Sequence, residues 1–287
     1  MCSEDVLCAY QFTLWSLRIH RFTIMLMIRI RKGTTSVKQI SLLFLCIGLL
    51  FTGCMTSSSQ ETLPQSTQKP ERYRIACLGD SITEGVGVSD PENLWVNILG
   101  QEEYVIKAEN LGSSGTTIAV PPDTALRPYA YVNRYKKIDE RSALIIVFGG
   151  TNDYGNDVPL GSPSDTDPST FYGALHTLIT GLSADYPDAK LLFCTPLQRD
   201  DRKLGAPETT PYNAAGATIE DYREAILSIC GQNDIETLDL WNLDGMRLDD
   251  PTFEDYFDDG LHPNDAGSTY MASAIIAKVR EILGVWN

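Results

Sequence analysis

Six consecutive apolar residues, Ala143 to Phe148 (ALIIVF), run without a polar interruption into Gly149-Gly150. A run that short and uniform is the mark of a strand covered on both faces, and such strands occur almost only in parallel sheets packed between helices. Other segments repeat the theme. Tyr73 to Leu78 (YRIACL) and Tyr104 to Leu111 each run into a glycine, Lys190 to Cys194 (KLLFC) is another apolar strand, and Ile235 to Leu240 is a fifth. Between them lie segments with helical spacing. Leu94, Trp95, Ile98 and Leu99 form one stripe, and Phe171, Leu175, Leu178, Ile179 and Leu182 form another within Ser169 to Tyr186. Ile219 to Ile229 and a last helix from about Asn264 to Leu283 complete the set. This alternation predicts one α/β domain over 73–287, a five-stranded parallel sheet between two helical layers. In open sheets of this class the ligand lies beyond the carboxyl ends of the strands, so the residues just past each strand carry the information about function.

Charge limits the choice of partner. The chain has 38 acidic and 23 basic residues and a net charge of −15. Residues 1–53 hold six basic and two acidic side chains, and 54–287 hold 17 basic and 36 acidic ones. A body this acidic repels phosphate backbones, which argues against nucleic-acid binding. No stretch reaches the roughly 18–20 apolar residues of a membrane span. The seven cysteines lack paired CxxC spacing, which argues against a zinc ribbon or a disulfide scaffold.

The first 53 residues have the layout of an export signal. Arg29, Arg31, Lys32 and Lys38 precede Ile40 to Phe51, a 12-residue apolar run broken only by Ser41 and Gly48. The run leads into Phe51-Thr52-Gly53-Cys54. This resembles the lipobox of bacterial lipoproteins, whose cysteine is lipidated and becomes the mature N-terminus, with Phe51 standing where that pattern has an aliphatic residue. The expectation is a leader over 1–53, translation starting at Met25 or Met27, and acyl chains on Cys54 that hold the protein at a membrane of the cell envelope. Cleavage without lipidation, giving a secreted protein, is the alternative. Residues 54–72, polar and dotted with Pro64 and Pro70, read as a flexible tether.

The segments past the strands hold four informative blocks. They are Gly79-Asp80-Ser81, Gly112 within Asn110-Leu111-Gly112-Ser113-Ser114-Gly115, Gly150-Thr151-Asn152-Asp153, and Asp259-Gly260-Leu261-His262. Together they resemble the SGNH hydrolase family, the GDSL-type esterases and lipases, whose GDS, block-two glycine, GxND and DxxH blocks occur in this order. The resemblance covers about 73–283 and implies a flavodoxin-like three-layer fold with ester hydrolysis by a Ser-His-Asp triad, without metal or organic cofactor. It implies catalytic Ser81, His262 and Asp259. It also implies an oxyanion hole made of the Ser81 and Gly112 backbone N–H groups and the Asn152 amide.

The residue chemistry points the same way. A serine hydroxyl is a poor nucleophile at neutral pH and needs a base, and an imidazole with an unperturbed pKa of about 6.5 is suited to the task. Of three histidines, His20 falls in the leader and His176 on the apolar side of a helix, which leaves His262. Asp259 lies three residues before it, within a turn's reach, and Asp258 competes for the same role. The last helix begins just past His262-Pro263, and its positive end disfavours an imidazolium that the Asp259 carboxylate would offset. Other assignments exist for each residue. Ser81-x-x-Glu84 matches a helix capping box. Asn152 can cap a turn, and a glycine at 112 keeps the space for substrate open. Asp80 tightens the first turn. The acidic loop from Asp249 to Asp259 lacks EF-hand spacing. Gly85-Val86-Gly87 fails as a dinucleotide loop because residue 90 is Asp. Cys77, Cys194 and Cys230 sit in apolar settings and read as buried small hydrophobes. Trp95, Tyr129, Tyr131 and Tyr154 serve either as packing or as sugar-stacking faces. The substrate expectation is an acylated carbohydrate. The alternatives are lysophospholipase or thioesterase activity, and a catalytically silent glycan-binding protein of the same fold.

Overall fold

The computed structural model describes residues 72–205 and 211–286. The expected leader, Cys54 and the tether as far as residue 71 lie outside the described residues. Five strands form one sheet: β1 (Tyr73–Gly79), β2 (Val105–Gly112), β3 (Leu144–Phe148), β4 (Lys190–Cys194) and β5 (Glu236–Leu238). The spatial order is β2-β1-β3-β4-β5 and every pairing is parallel. The three-layer α/β architecture expected from the apolar runs is the one observed.

Alternating residues along the strands feed two separate cores. Ala76, Leu78, Ile145, Val147 and Phe193 face one side, with α3 (Tyr131–Arg134), α5 (Phe171–Asp185) and α6 (Ile219–Gln232). Ile75, Cys77, Ile146, Phe148 and Leu192 face the other, with α2 (Trp95–Gly100) and α8 (Asp265–Leu283). Cys77, Cys194 and Cys230 are free thiols inside these cores, and burial pushes the Cys230 thiol up to about 12. Trp95 and Tyr131 are also fully buried, so they pack rather than present stacking faces. No described helix is long and apolar enough to cross a membrane.

Two boundaries differ from the sequence expectation, each for a local reason. β5 stops at Leu238 because the next carboxylate, Asp239, turns aside: it accepts from Thr195 Oγ1 at 2.9 Å and from Arg223 Nε at 2.8 Å and Nη2 at 2.7 Å. The backbone then enters a 3-10 turn at Leu240–Asn242 instead of extending the strand. The helix expected to carry the Leu94–Leu99 stripe begins only at Trp95, because Leu94 is extended (φ −69°, ψ 128°) after a 3-10 turn at Pro91–Asn93.

The chain turns from β1 into the short helix α1 (Ser81–Glu84), which rides directly on the tip of β2. A Cβ built on Gly112 would lie 2.2 Å from Glu84 N and 2.6 Å from Glu84 Cα. The glycine at 112 is thus required by backbone against backbone, not by space for substrate. Gly112→Ala should cost about 1–3 kcal/mol as α1 is pushed off β2, read as a fall in the urea midpoint at unchanged m-value.

Candidate active site

β1 ends at Gly79, and the next residue decides how the chain enters α1. Asp80 is 1 % exposed and its Oδ1 accepts from Ile82 N at 3.0 Å, making it the N-cap. Capping therefore falls to Asp80 and leaves the hydroxyl of Ser81 unused by the helix. The alternative assignment of Ser81 and Glu84, a helix capping box, does not form. Glu84 Oε2 instead accepts from Ser114 N at 2.7 Å and from the Ser114 hydroxyl, which ties α1 to the loop after β2.

The freed Ser81 hydroxyl meets His262 across 181 residues of chain, with Oγ and Nε2 3.0 Å apart. The other ring nitrogen, Nδ1, lies 2.6 Å from Asp259 Oδ2. Asp259 Oδ1 accepts from the backbone N–H of His262 at 2.7 Å and of Leu261 at 2.8 Å. Burial alone would raise the Asp259 carboxyl, but the imidazole and these two N–H groups outweigh it and hold the carboxyl below its ordinary value. An ionised carboxylate only accepts, so Nδ1 carries the ring hydrogen and Nε2 is left to accept from the serine hydroxyl. Asp258 is turned elsewhere, accepting from Asn264 Nδ2 at 3.1 Å. The reversal between Asp259 and His262 uses Gly260 at φ +83°. On the far side Gly87, at φ +91°, packs so closely that a Cβ there would lie 2.9 Å from His262 Cβ and 2.7 Å from Pro263 O. The 85–90 loop is thus a backing for the histidine, and Asp265 fastens it by accepting from Ser89 N at 3.2 Å and Asp90 N at 2.9 Å.

Asn152 lies in α4 (Thr151–Gly155), just past β3, and its Nδ2 donates to Thr116 O at 3.1 Å. Gly112 is a correction. Its N–H donates to Asn110 Oδ1 at 2.8 Å, so it is already committed and does not face a substrate. The available amide in that loop belongs to Gly115, whose N–H makes no hydrogen bond among the described residues and whose α-carbon, at φ +74°, has nothing within 4 Å of a built Cβ. Gly115 is bracketed by Ser114, bound to Glu84 of α1, and Thr116, bound to Asn152. The N–H of Ser81 is likewise without a partner among the described residues.

Asp153 was not singled out from sequence. It is 0 % exposed and accepts from Ile118 N at 3.0 Å and Ala119 N at 2.9 Å, which pins the chain after β2 to α4. Burial pushes its carboxyl up to about 7 against those two hydrogen bonds, and burial also pushes Asp80 up to about 6. His176 is structural: its Nε2 donates to Pro163 O at 2.9 Å and anchors the 158–168 segment. Arg199 bridges to α4, with Nη1 3.1 Å from Thr151 Oγ1, while its Nε donates to Asp201 Oδ1 at 2.6 Å. Beyond β4 and β5 a cleft of about 500 Å³ is lined by Tyr154, Gln198, Arg199, Pro211, Trp241 and Leu248 among others. It adjoins the Ser81–His262–Asp259 chain without containing it. The joint is the bond from Asp200 N to Gly260 O at 2.8 Å, together with the Arg199–Thr151 contact. Among the described residues no three His, Cys, Asp or Glu side chains are grouped to hold a metal, and Asp249 and Asp250 of the acidic loop pair with Arg247 at 3.5 and 3.0 Å.

Sheet order and hydrogen-bonded hydroxyl–imidazole–carboxylate chain together mark a hydrolase of the three-layer α/β class. The chain belongs to the GDSL-like lipase/acylhydrolase family, whose model matches residues 77–270. It is similar to a GDSL esterase/lipase of Oryza sativa subsp. japonica, at 25 % identity over 142 residues, which span 48 % of this chain and 54 % of the rice protein. The match thus spans about half the length of that relative. Among solved structures, a Lactobacillus plantarum protein is 35 % identical with a TM-score of 0.65, covering 74 % of this chain and 98 % of its own. A lipase/acylhydrolase from Enterococcus faecalis has the same fold, with a TM-score of 0.51 at 20 % identity over 73 % of this chain and 96 % of its own.

The raised carboxyl of Asp153 has a consequence for stability. Its folded value, about 7, lies above the ordinary 3.8, so its contribution is present at low pH and is lost as pH rises through about 7. Asp153→Asn, which does not titrate, should therefore gain stability relative to wild type between about pH 4 and pH 8. Urea unfolding of both proteins at several pH values measures this, and a constant difference contradicts it.

Proposed function

We propose that this protein is a serine ester hydrolase that works through an acyl-enzyme, with Ser81 as nucleophile, His262 as general base and acid, and Asp259 holding the imidazole. The observation that carries the proposal is the unbroken chain from Ser81 Oγ through His262 to Asp259, with spacings of 3.0 and 2.6 Å. Ser81 Oγ attacks the ester carbonyl carbon as Nε2 takes the hydroxyl proton. The carbonyl oxygen gains the negative charge, and its donors are the N–H groups of Ser81 and Gly115 and the amide of Asn152. Each such donor is typically worth about 10²–10³ in rate. The C–O bond to the alcohol then breaks, and Nε2–H gives its proton to the departing oxygen. Water attacks the acyl-serine by the same route, His262 taking a proton from it and returning one to Ser81 as the acid leaves. The Asp259 side chain is 48 % exposed, so solvent screens its charge and its chief contribution is to fix the tautomer and orientation of the ring.

The substrate we infer is an acylated carbohydrate. Supporting this are the acidic body and the adjoining cleft, which Trp241 lines beside the polar Gln198 and Arg199, while Tyr154, 8 % exposed with Arg199 5.3 Å over its ring, packs into the wall. Tyr129, 52 % exposed, is a further free aromatic face. We also infer export and lipid anchoring at Cys54, from the basic lead, the apolar run and the Thr52-Gly53-Cys54 sequence.

Ser81→Ala should lower hydrolysis of an aryl acetate at least about 10⁴-fold and abolish covalent labelling by a fluorophosphonate. Retained labelling would refute the assignment. Acetate release from acetylated xylan, pectin and peptidoglycan, set beside fatty-acid release from a lysolipid, tests the substrate. Release from the lysolipid alone favours a lipase role, and binding without any release indicates a silent glycan-binding protein. Cys54→Ala should move the protein from the membrane fraction to the soluble fraction of expressing bacteria. An unchanged distribution counts against the lipid anchor.

A further inference from the structure

Arg134 is a full positive charge taken almost out of water, with 8 % of its surface exposed. A buried charge is costly unless its donors are met. Among the described residues it forms no ion pair with a carboxylate. Its donors go instead to uncharged oxygens, two of them carbonyls at the tips of two strands. Nη2 donates to Gly79 O at 2.6 Å and Nη1 to Leu111 O at 2.6 Å. Nε donates to Tyr129 O at 2.8 Å, and Nη2 also reaches Thr116 Oγ1 at 3.3 Å.

All of these acceptors but the Tyr129 carbonyl share one property. Gly79 lies two residues before Ser81, and Leu111 and Thr116 bracket the loop that carries Gly115. The Thr116 carbonyl in turn receives the Asn152 amide at 3.1 Å. One guanidinium therefore touches both segments that hold the Ser81 and Gly115 N–H groups and, through Thr116, the segment that orients Asn152. Tyr131 lies beneath it, with the guanidinium carbon 4.8 Å from the ring centroid, and its hydroxyl donates to Phe148 O at 2.8 Å on the tip of β3. At the tips themselves one main-chain bond, Ser113 N to Gly79 O at 3.0 Å, spans β1 and β2, and a single bond leaves the pair free to splay about it. A planar fork whose two ends meet the Gly79 and Leu111 carbonyls on those adjacent strands, about 4.8 Å apart, adds a second, rigid tie beside it.

We propose that Arg134, supported by Tyr131, is the positioning residue of the oxyanion hole, fixing the spacing of the β1 and β2 tips and with it the geometry of the three donors. The inference rests on the ester-hydrolase reading above. A lysine in its place keeps a positive charge but presents a single point that cannot bridge two strands.

The test compares wild type, Arg134→Lys and Tyr131→Phe in hydrolysis of p-nitrophenyl acetate, with active sites counted by fluorophosphonate titration and kcat expressed per titrated site. For Arg134→Lys we expect kcat to fall about 10–100-fold, with KM within about twofold of wild type, because misplaced donors weaken the transition state rather than ground-state binding. The shape of the pH–rate profile should not move, since the His262–Asp259 pair is untouched. Tyr131→Phe should show a smaller fall of the same kind. A merely structural arginine would lower the melting temperature and the number of titrated sites and leave kcat per site unchanged, and that result overturns the proposal. If Arg134→Lys fails to fold, Tyr131→Phe and Thr116→Val carry the same comparison, and unchanged kcat per site in both overturns it equally. A wild type with neither turnover nor label on Ser81 removes the ester-hydrolase reading itself, an outcome distinct from an active wild type and an equally active variant.

Discussion

The register of four parallel ladders is the constraint on which this site rests. Gly112, Gly79, Phe148, Cys194 and Leu238 stand side by side in one row across the sheet. The row is specified by the cores. A one-residue slip of β1 would send Ile75 and Cys77 into the core that holds Ala76 and Leu78, and the reverse. Because the strands end level, the segments that leave them begin level too: Ser81 past β1, Gly115 past β2, Asn152 past β3 and Arg199 past β4. The order β2-β1-β3-β4-β5 puts the topological switch between β1 and β3, where chains leave toward opposite faces and open a crevice. Serine and asparagine stand on its two lips.

What holds those departing segments is polar rather than apolar. Asp80 and Asp153 are 1 % and 0 % exposed, and each accepts main-chain N–H groups that no helix or strand would otherwise satisfy. Their burial is unfavourable to the ionised form, as the upward push to about 6 and about 7 records. Apolar side chains in those places would leave the amides of Ile82, Ile118 and Ala119 buried and unmatched. Arg134 mirrors this, supplying buried donors to carbonyls at the strand tips. Loops whose N–H groups are left without partners among the described residues, as those of Ser81 and Gly115 are, cannot use those groups to hold themselves, so side chains from beneath take over the task.

This division explains what was legible in the sequence. β1, β3 and β4 were readable because strands covered on both faces are uniformly apolar, and β4 matches its expected bounds, Lys190–Cys194. β5 was overextended because its end is set by Asp239 meeting Thr195 and Arg223, partners 44 and 16 residues away in sequence. Ser81, His262 and Asp259 were expected together from the resemblance of their blocks, with the scarcity of histidines narrowing the base, and the three side chains do lie within hydrogen-bond reach of one another. The choice between Gly112 and Gly115 was not. It depends on which amide Asn110 claims and on where β2 ends, and neither is written in the composition of the loop. Arg134 was the least visible, since beside Lys136 and Lys137 on a short helix it has the look of a solvated basic stretch.

The contrast among three aspartates near the site bears on how its chemistry runs. Asp80 and Asp153, buried, are driven toward the neutral form in the range where an imidazole titrates. Asp259, with 48 % of its side chain exposed, is held below its ordinary value instead. A carboxyl that must accept from Nδ1 throughout a reaction has to stay ionised whether the ring is neutral or charged. Placing it deep in the sheet would strengthen its attraction for an imidazolium but would also expose it to the desolvation that lifts its two neighbours. At the surface, with two main-chain N–H groups to hold it, Asp259 keeps its charge at the expense of screening. In the mechanism proposed above, a base oriented by a dependable acceptor, with the developing negative charge met by separate donors on the opposite lip, follows from where water can and cannot reach.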